Sequence, residues 1–189
     1  PKRTAPRGNP AKARVSSAPP KPAPVTARDW IGAARLRTLP LAVSPVVVGT
    51  GAAIVVGDDF HWVLAVCCLA VAVALQIGVN FANDYSDGIR GTDDFRVGPT
   101  RLTASGRVSP RAVLIAALIF FAIAALVGLA VVIRTQHWWF LIVGVVSIVA
   151  AWFYTGGKRP YGYAGFGEIF VFLFFGPVAT IGTTYVQLG

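Results

Sequence analysis

Residues 62–83 read WVLAVCCLAVAVALQIGVNFAN, without one charged side chain, and run directly into Asp84-Tyr85-Ser86-Asp87-Gly88. About 20 consecutive apolar residues is the length an α-helix needs to cross the hydrocarbon core of a bilayer. The stretch is therefore read as a membrane helix whose end opens onto a polar motif. Four further apolar runs, 39–56, 112–133, 138–154 and 168–187, repeat the pattern. With 55% hydrophobic and 13% charged residues and a mean hydropathy of +0.65, the chain lies outside soluble usage. The expected fold class is all-α, a polytopic transmembrane bundle of about five helices here.

Pro40 and Pro45 in the first run and Gly176-Pro177 in the last predict kinks, because proline removes a helical donor and clashes with the preceding turn. Trp62, Trp138, Trp139 and Trp152 fall near run ends, as interfacial aromatics do. Residues 1–28 are rich in Pro and Ala, hold seven Lys or Arg and lack an apolar core, which excludes a signal peptide. They are read as a disordered basic tail, and residues 29–189 as the transmembrane domain.

The net charge of +9 sits between apolar runs rather than on a soluble face, which argues for topology and against nucleic acid. The short connections 57–61 and 134–137 hold one basic residue, Arg134. The other sixteen of the seventeen fall in the N-terminal segment, in 84–111 and at Lys158-Arg159. The positive-inside rule then places these three segments in the cytoplasm. Five spans leave Gly189 outside, and residues 185–189 show no terminating feature, so the expectation is an N-terminal part of a larger bundle, with a five-span protein as the alternative.

If the second helix continues past its apolar run, Asn80, Asp84 and Asp87 stand at i, i+4 and i+7, and Asn83 and Asp87 at i, i+4. Carboxylates so placed suit a hard cation such as Mg²⁺, which keeps waters and takes one or two carboxylates together with substrate phosphates. Asp84, Asp87, Asp93 and Asp94 are half of the chain's acidic residues, and Arg90, Arg96, Arg101, Arg107 and Arg111 accompany them. A solvated, self-neutralising loop is the bland alternative. Asn80 and Asn83 weigh against it, since amides in an apolar helix need partners. Lys158 and Arg159, on the same side, are candidates to neutralise diphosphate oxygens, or else an interfacial anchor. Arg35 and Arg37 either snorkel to the interface or receive an anionic acceptor. The adjacent Cys67 and Cys68 and the distant His61 and His137 receive no role in the chemistry.

At these positions the sequence resembles the UbiA superfamily of intramembrane aromatic prenyltransferases, nearest to its dihydroxynaphthoate branch. The resemblance is carried by Arg35-Leu36-Arg37-Thr38-Leu39-Pro40, by Asn83-Asp84-Tyr85-Ser86-Asp87-Gly88-Ile89-Arg90-Gly91-Thr92-Asp93, by Arg96-Val97-Gly98-Pro99-Thr100-Arg101-Leu102, and by residues 154–167. It implies a fold of about nine helices and transfer of a polyprenyl group from polyprenyl diphosphate to 1,4-dihydroxy-2-naphthoate with loss of CO₂. It also implies Mg²⁺ on Asp84, Asp87 and Asp93, and diphosphate contacts from Tyr154, Lys158 and Arg159. Asn80, Asn83, Arg35, Arg37, Arg90, Arg96 and Arg101 join Tyr154 as expected substrate-binding residues. The family's N-x-x-x-D-x-x-x-D pattern finds Asn83 and Asp87 but Gly91 in its last place, and its second aspartate-rich motif has no counterpart here. The ubiquinone, haem and chlorophyll branches stay open as alternatives. So do a CDP-alcohol phosphotransferase, from Asp84-Tyr85-Ser86-Asp87-Gly88, and a non-enzymatic membrane subunit.

Overall fold

A computed structural model of the chain describes residues 24–57, 60–92 and 101–189. The basic tail up to residue 23, and with it Asp93, Asp94 and Arg96, lie outside the described residues. Regular structure among the described residues is entirely helical: α1 (Ala27–Ala33), α2 (Leu39–Gly57), α3 (Trp62–Arg90), α4 (Pro110–Thr135), α5 (Phe140–Phe153), α6 (Gly167–Leu173) and α7 (Ala179–Leu188). Short 3₁₀ turns at Leu36–Thr38 and Tyr161–Ala164 precede α2 and α6. The all-α membrane bundle expected from the apolar runs is the architecture found.

Among the described residues, four helical segments are long and apolar enough to cross a membrane. The fourth expected span is shorter than its apolar run. Residues 138–139 form a tight turn in which Leu141 N–H donates to Trp138 O, leaving 14 residues for α5. At 1.5 Å per residue that is about 21 Å, less than a typical hydrocarbon core of about 30 Å. The prolines also act unequally. Pro45 sits inside an unbroken α2, whereas at Pro177 the last rod widens into a π-helical stretch, Phe174–Val178, between α6 and α7. A wider turn accommodates the missing N–H and relieves the ring's clash with the preceding carbonyl.

The lateral faces are apolar and open: Val47, Val55, Leu126, Ile142, Phe172 and Ile181 are all exposed. Such a continuous apolar exterior is intolerable in water and ordinary in lipid. The chain is a multi-pass membrane protein. Packing between rods relies on small residues, as in other membrane bundles. α2 meets α7 so closely at Gly49 that an added Cβ would lie 2.4 Å from the Thr180 carbonyl, and the Thr184 hydroxyl donates to Gly49 O at 2.9 Å.

The buried core lies toward one end, where Ala33, Ala34, Phe81, Ala82, Leu102, Val113, Ala117 and Phe121 pack together. A capping box at Thr26 and Asp29 starts α1. Arg107 grips both oxygens of Asp29 at 3.0 Å, tying that helix to the segment before α4. Ser109, accepting from Ala112 N–H, and Pro110 start α4. The opposite end is marked by His61 N–H donating to Gln187 Oε1 and by the His137 ring set edge-on to Tyr185. Among the described residues, the basic segments and the short connections thus occupy opposite ends of the bundle.

Candidate active site at the end of α3

Helix α3 runs to Arg90, well past its apolar stretch, so that Asn80, Asn83, Asp84 and Asp87 are all helical and all buried. A closing motif ends it at Gly91, whose φ of 69° is left-handed. Gly91 N–H bonds Gly88 O, and Thr92 N–H bonds Asp87 O. Four buried polar side chains on one helix demand partners from elsewhere, and each meets a different segment.

Asn80 donates to Ala34 O at 2.9 Å and to the Thr38 hydroxyl at 3.0 Å. Gln76, one turn earlier, donates to the same hydroxyl at 3.0 Å, and the Thr38 hydroxyl in turn donates to Arg35 O at 2.9 Å. These bonds brace the turn in which Arg35 adopts a left-handed backbone, φ 53° and ψ 59°, a conformation costly to a residue with a Cβ. Asn83 accepts from the Thr155 hydroxyl at 2.6 Å. Asp84, 1% exposed, accepts Leu102 N–H on one oxygen and Thr103 N–H on the other, both at 2.9 Å. Asp87 accepts the Tyr163 hydroxyl on Oδ1 and faces the Arg101 guanidinium at 3.6 Å on Oδ2.

Arg90 completes the set. Its two terminal nitrogens donate to the carbonyls of Thr155 and Gly157, and its guanidinium lies 5.7 Å from the Tyr163 ring centre. Burial, followed by the bond to Asp87, pushes the Tyr163 phenol above its ordinary value, so it remains a donor at neutral pH. The turn that Arg90 clamps displays Lys158 and Arg159, both exposed, and makes no ion pair for them among the described residues.

Beside this polar end lies a cavity of about 480 Å³ between α2, α3, α4, α5 and the last rod. Its walls are apolar, and its polar residues include Arg35, Thr38, Gln76, Asn80, Asn83 and Tyr154. The structure therefore divides the expected site residues. Arg35, Asn80, Asn83 and Tyr154 line the cavity. Asp84, Asp87, Arg90 and Arg101 form the adjoining charged layer, while Lys158 and Arg159 stand outside it and Arg37 is exposed. Asp93 and Arg96 fall outside the described residues.

The chemistry of this end suits a hard cation in a restricted way. Among the described residues no three metal-ligating side chains come together. Both Asp84 oxygens already hold backbone amides. Each oxygen of Asp84 and of Asp87 keeps a lone pair beyond its one partner, but Asp84 is held by main-chain amides of a buried turn, whereas the partners of Asp87 are the Tyr163 and Arg101 side chains, which can swing aside for a cation. One such carboxylate is enough for Mg²⁺, which completes its octahedron with water and phosphate.

Sequence reasoning missed Gln76, Thr38, Thr155 and Tyr163. Gln76 carried a signal, since it extends the polar stripe of Asn80, Asp84 and Asp87 by one more turn in an otherwise apolar helix. The others are loop residues whose partners only folding reveals.

The profile of the UbiA prenyltransferase family matches residues 42–188. A 1,4-dihydroxy-2-naphthoate octaprenyltransferase of Mycobacterium tuberculosis is 58% identical over 159 residues, covering 84% of this chain and 54% of that protein. The Mycobacterium leprae enzyme of the same name is 54% identical, with 84% and 53% covered, and that of Escherichia coli 40% identical, with 84% and 53%. The chain thus spans about half the length of the curated relatives it matches. No solved structure is significantly similar to it.

Proposed function

From its membership of the UbiA prenyltransferase family, to which this chain belongs, we propose that it forms the donor-binding part of an enzyme that prenylates a dihydroxynaphthoate. The donor is a polyprenyl diphosphate and the acceptor 1,4-dihydroxy-2-naphthoate, as in the names of its relatives. The observation that carries the reading is the juxtaposition of an apolar cavity of about 480 Å³ with the charged end of α3. One compartment suits an isoprenoid tail and the other its diphosphate.

In this reading the tail lies among the apolar walls and the diphosphate at Asp87, with Lys158, Arg159, Arg90 and Arg101 around it. Asp87, together with Asp93, would hold Mg²⁺, which when bound supplies positive charge against the diphosphate oxygens. Fixed cations aimed at charge that grows as the C–O bond breaks lower the barrier itself rather than only tightening binding. Pyrophosphate departs with the bonding pair, and the allylic carbon joins the electron-rich ring of the acceptor. The ring carboxyl leaves as CO₂, giving the demethylmenaquinone skeleton. Arg35 and Asn80, at the polar end of the cavity, suit the acceptor's carboxylate and hydroxyls. The apolar walls keep water from capturing the cation. By the positive-inside rule this end faces the cytoplasm of a bacterial inner membrane.

The test is prenyl transfer to dihydroxynaphthoate by the protein in lipid nanodiscs, with Mg²⁺ and with EDTA. Activity should require the metal and be lost in Asp87→Ala. Undiminished transfer in EDTA, or by Asp87→Ala, refutes the metal assignment.

A further inference from the structure

We propose that Asp84 is a positioning residue, not a ligand of the cation: together with the space left at Gly88 it seats the 101–106 turn on α3 and so sets Arg101 against Asp87. Three observations converge on the seat. Both carboxylate oxygens of Asp84 are taken by the first two amides of that turn, Leu102 and Thr103. The turn is one helical winding, with Ser105 N–H on Arg101 O and Gly106 N–H on Thr103 O. Its leading amides therefore lack partners of their own. A carboxylate supplied by another helix caps them, as an N-cap aspartate does within one chain segment.

Gly88, four residues on from Asp84, is the second part. A Cβ there would lie 2.4 Å from Thr103 Cγ2 and 2.5 Å from its Cβ, with the Ala104 amide nitrogen at 3.2 Å. Only a residue without a side chain lets the turn approach. The third part is Leu102, 2% exposed and packed in the core with Ala33, Phe81 and Ala82. Arg101, the residue immediately before the captured amides, is thereby delivered to Asp87 Oδ2. In Asp84-Tyr85-Ser86-Asp87-Gly88 the first carboxylate and the glycine thus form the seat, and the second carboxylate faces the chemistry. The seat stands on geometry alone, whereas its effect on turnover rests on the prenyl-transfer reading.

Hydrogen exchange and Mn²⁺ binding, followed by electron paramagnetic resonance on the protein in nanodiscs, separate the roles. Asp84→Asn is expected to make the amides of Leu102 and Thr103 exchange at least about tenfold faster while Mn²⁺ affinity is retained. Gly88→Ala, which alters no charge and no ligand, is expected to do the same. Asp87→Asn should weaken Mn²⁺ by about tenfold or more and leave those amides protected. In turnover, Asp84→Asn and Gly88→Ala should raise KM for the prenyl diphosphate more than they lower kcat, because the turn carries a cation and does not touch the acceptor. Loss of Mn²⁺ affinity in Asp84→Asn with unchanged exchange at residues 102 and 103 overturns the proposal, as does Gly88→Ala with wild-type exchange. If the unaltered protein binds no Mn²⁺, the metal reading fails while the exchange results still decide the seat.

Discussion

The Thr155 hydroxyl donates to Asn83 Oδ1 at 2.6 Å across 72 positions of sequence, and both residues are buried. This bond fixes the start of the 155–160 turn, and so the placement of Lys158 and Arg159, relative to α3. Thr155→Val keeps the shape and removes the donor, leaving a buried amide oxygen unpaired at a cost of about 1–3 kcal/mol. The expected outcome is a lower unfolding temperature in detergent together with a raised KM for the prenyl diphosphate. Thr155→Ser should restore both. Unchanged kinetics in Thr155→Val would show that the turn holds its place without this bond.

Arg90 reaches two carbonyls with two nitrogens of one planar fork, a geometry lysine cannot copy. Arg90→Lys should therefore retain the positive charge yet loosen the turn, raising the KM for the prenyl diphosphate several-fold. If Arg90 instead acts on the diphosphate only through its charge, the lysine variant will approach wild-type kinetics. Measuring Arg90→Lys beside Arg90→Ala decides between clamp and point charge.

Lys158 and Arg159 differ from Arg90 and Arg101, whose guanidinium groups are engaged by the protein itself. The first two are exposed and form no ion pair among the described residues. Surface changes of this kind usually move stability by less than about 0.5 kcal/mol. The double variant Lys158→Ala, Arg159→Ala should unfold at the wild-type temperature and lose most of its prenyl transfer. Arg101→Ala, which leaves Asp87 without its ion pair, should lower both. A fully active double variant would remove the two residues from the site.

What could be read in advance follows from what periodicity encodes. Spacing puts Asn80, Asn83, Asp84 and Asp87 toward one region of a helix, and charge asymmetry puts their loops at one end, because both are properties of a single segment. Spacing does not say what each side chain meets. Asp84 and Asp87 looked equivalent, yet one holds the main-chain amides of Leu102 and Thr103 and the other meets the side chains of Tyr163 and Arg101. Likewise Arg35 and Arg37 could not be told apart, and the left-handed backbone at Arg35 turns one toward the cavity while the other is exposed. The length of α5 was overestimated because hydropathy registers Trp138 and Trp139 as apolar without registering that they turn. Asp93 and Arg96 lie outside the described residues, so their placement adds nothing to the comparison.

Gly128 offers the most direct test of what the cavity holds. It lies on α4 and lines the cavity wall, away from the charged end of α3. An added Cβ there meets only Val71 Cγ2, at an ordinary 3.9 Å. Larger apolar side chains at this position should fold, since the methyl itself is accommodated and the position borders the cavity. Overpacking typically costs about 1–3 kcal/mol where no space exists, so a variant that keeps its unfolding temperature has filled the cavity rather than strained the helix. Gly128→Leu is expected to lower kcat/KM for a long polyprenyl diphosphate far more than for a two-isoprene donor, because only the longer tail needs the occupied volume. The loss should appear in KM for the donor and leave KM for the aromatic acceptor unchanged. Equal losses for short and long donors in a stable Gly128→Leu protein would mean that the tail runs elsewhere and that this cavity serves another part of the reaction.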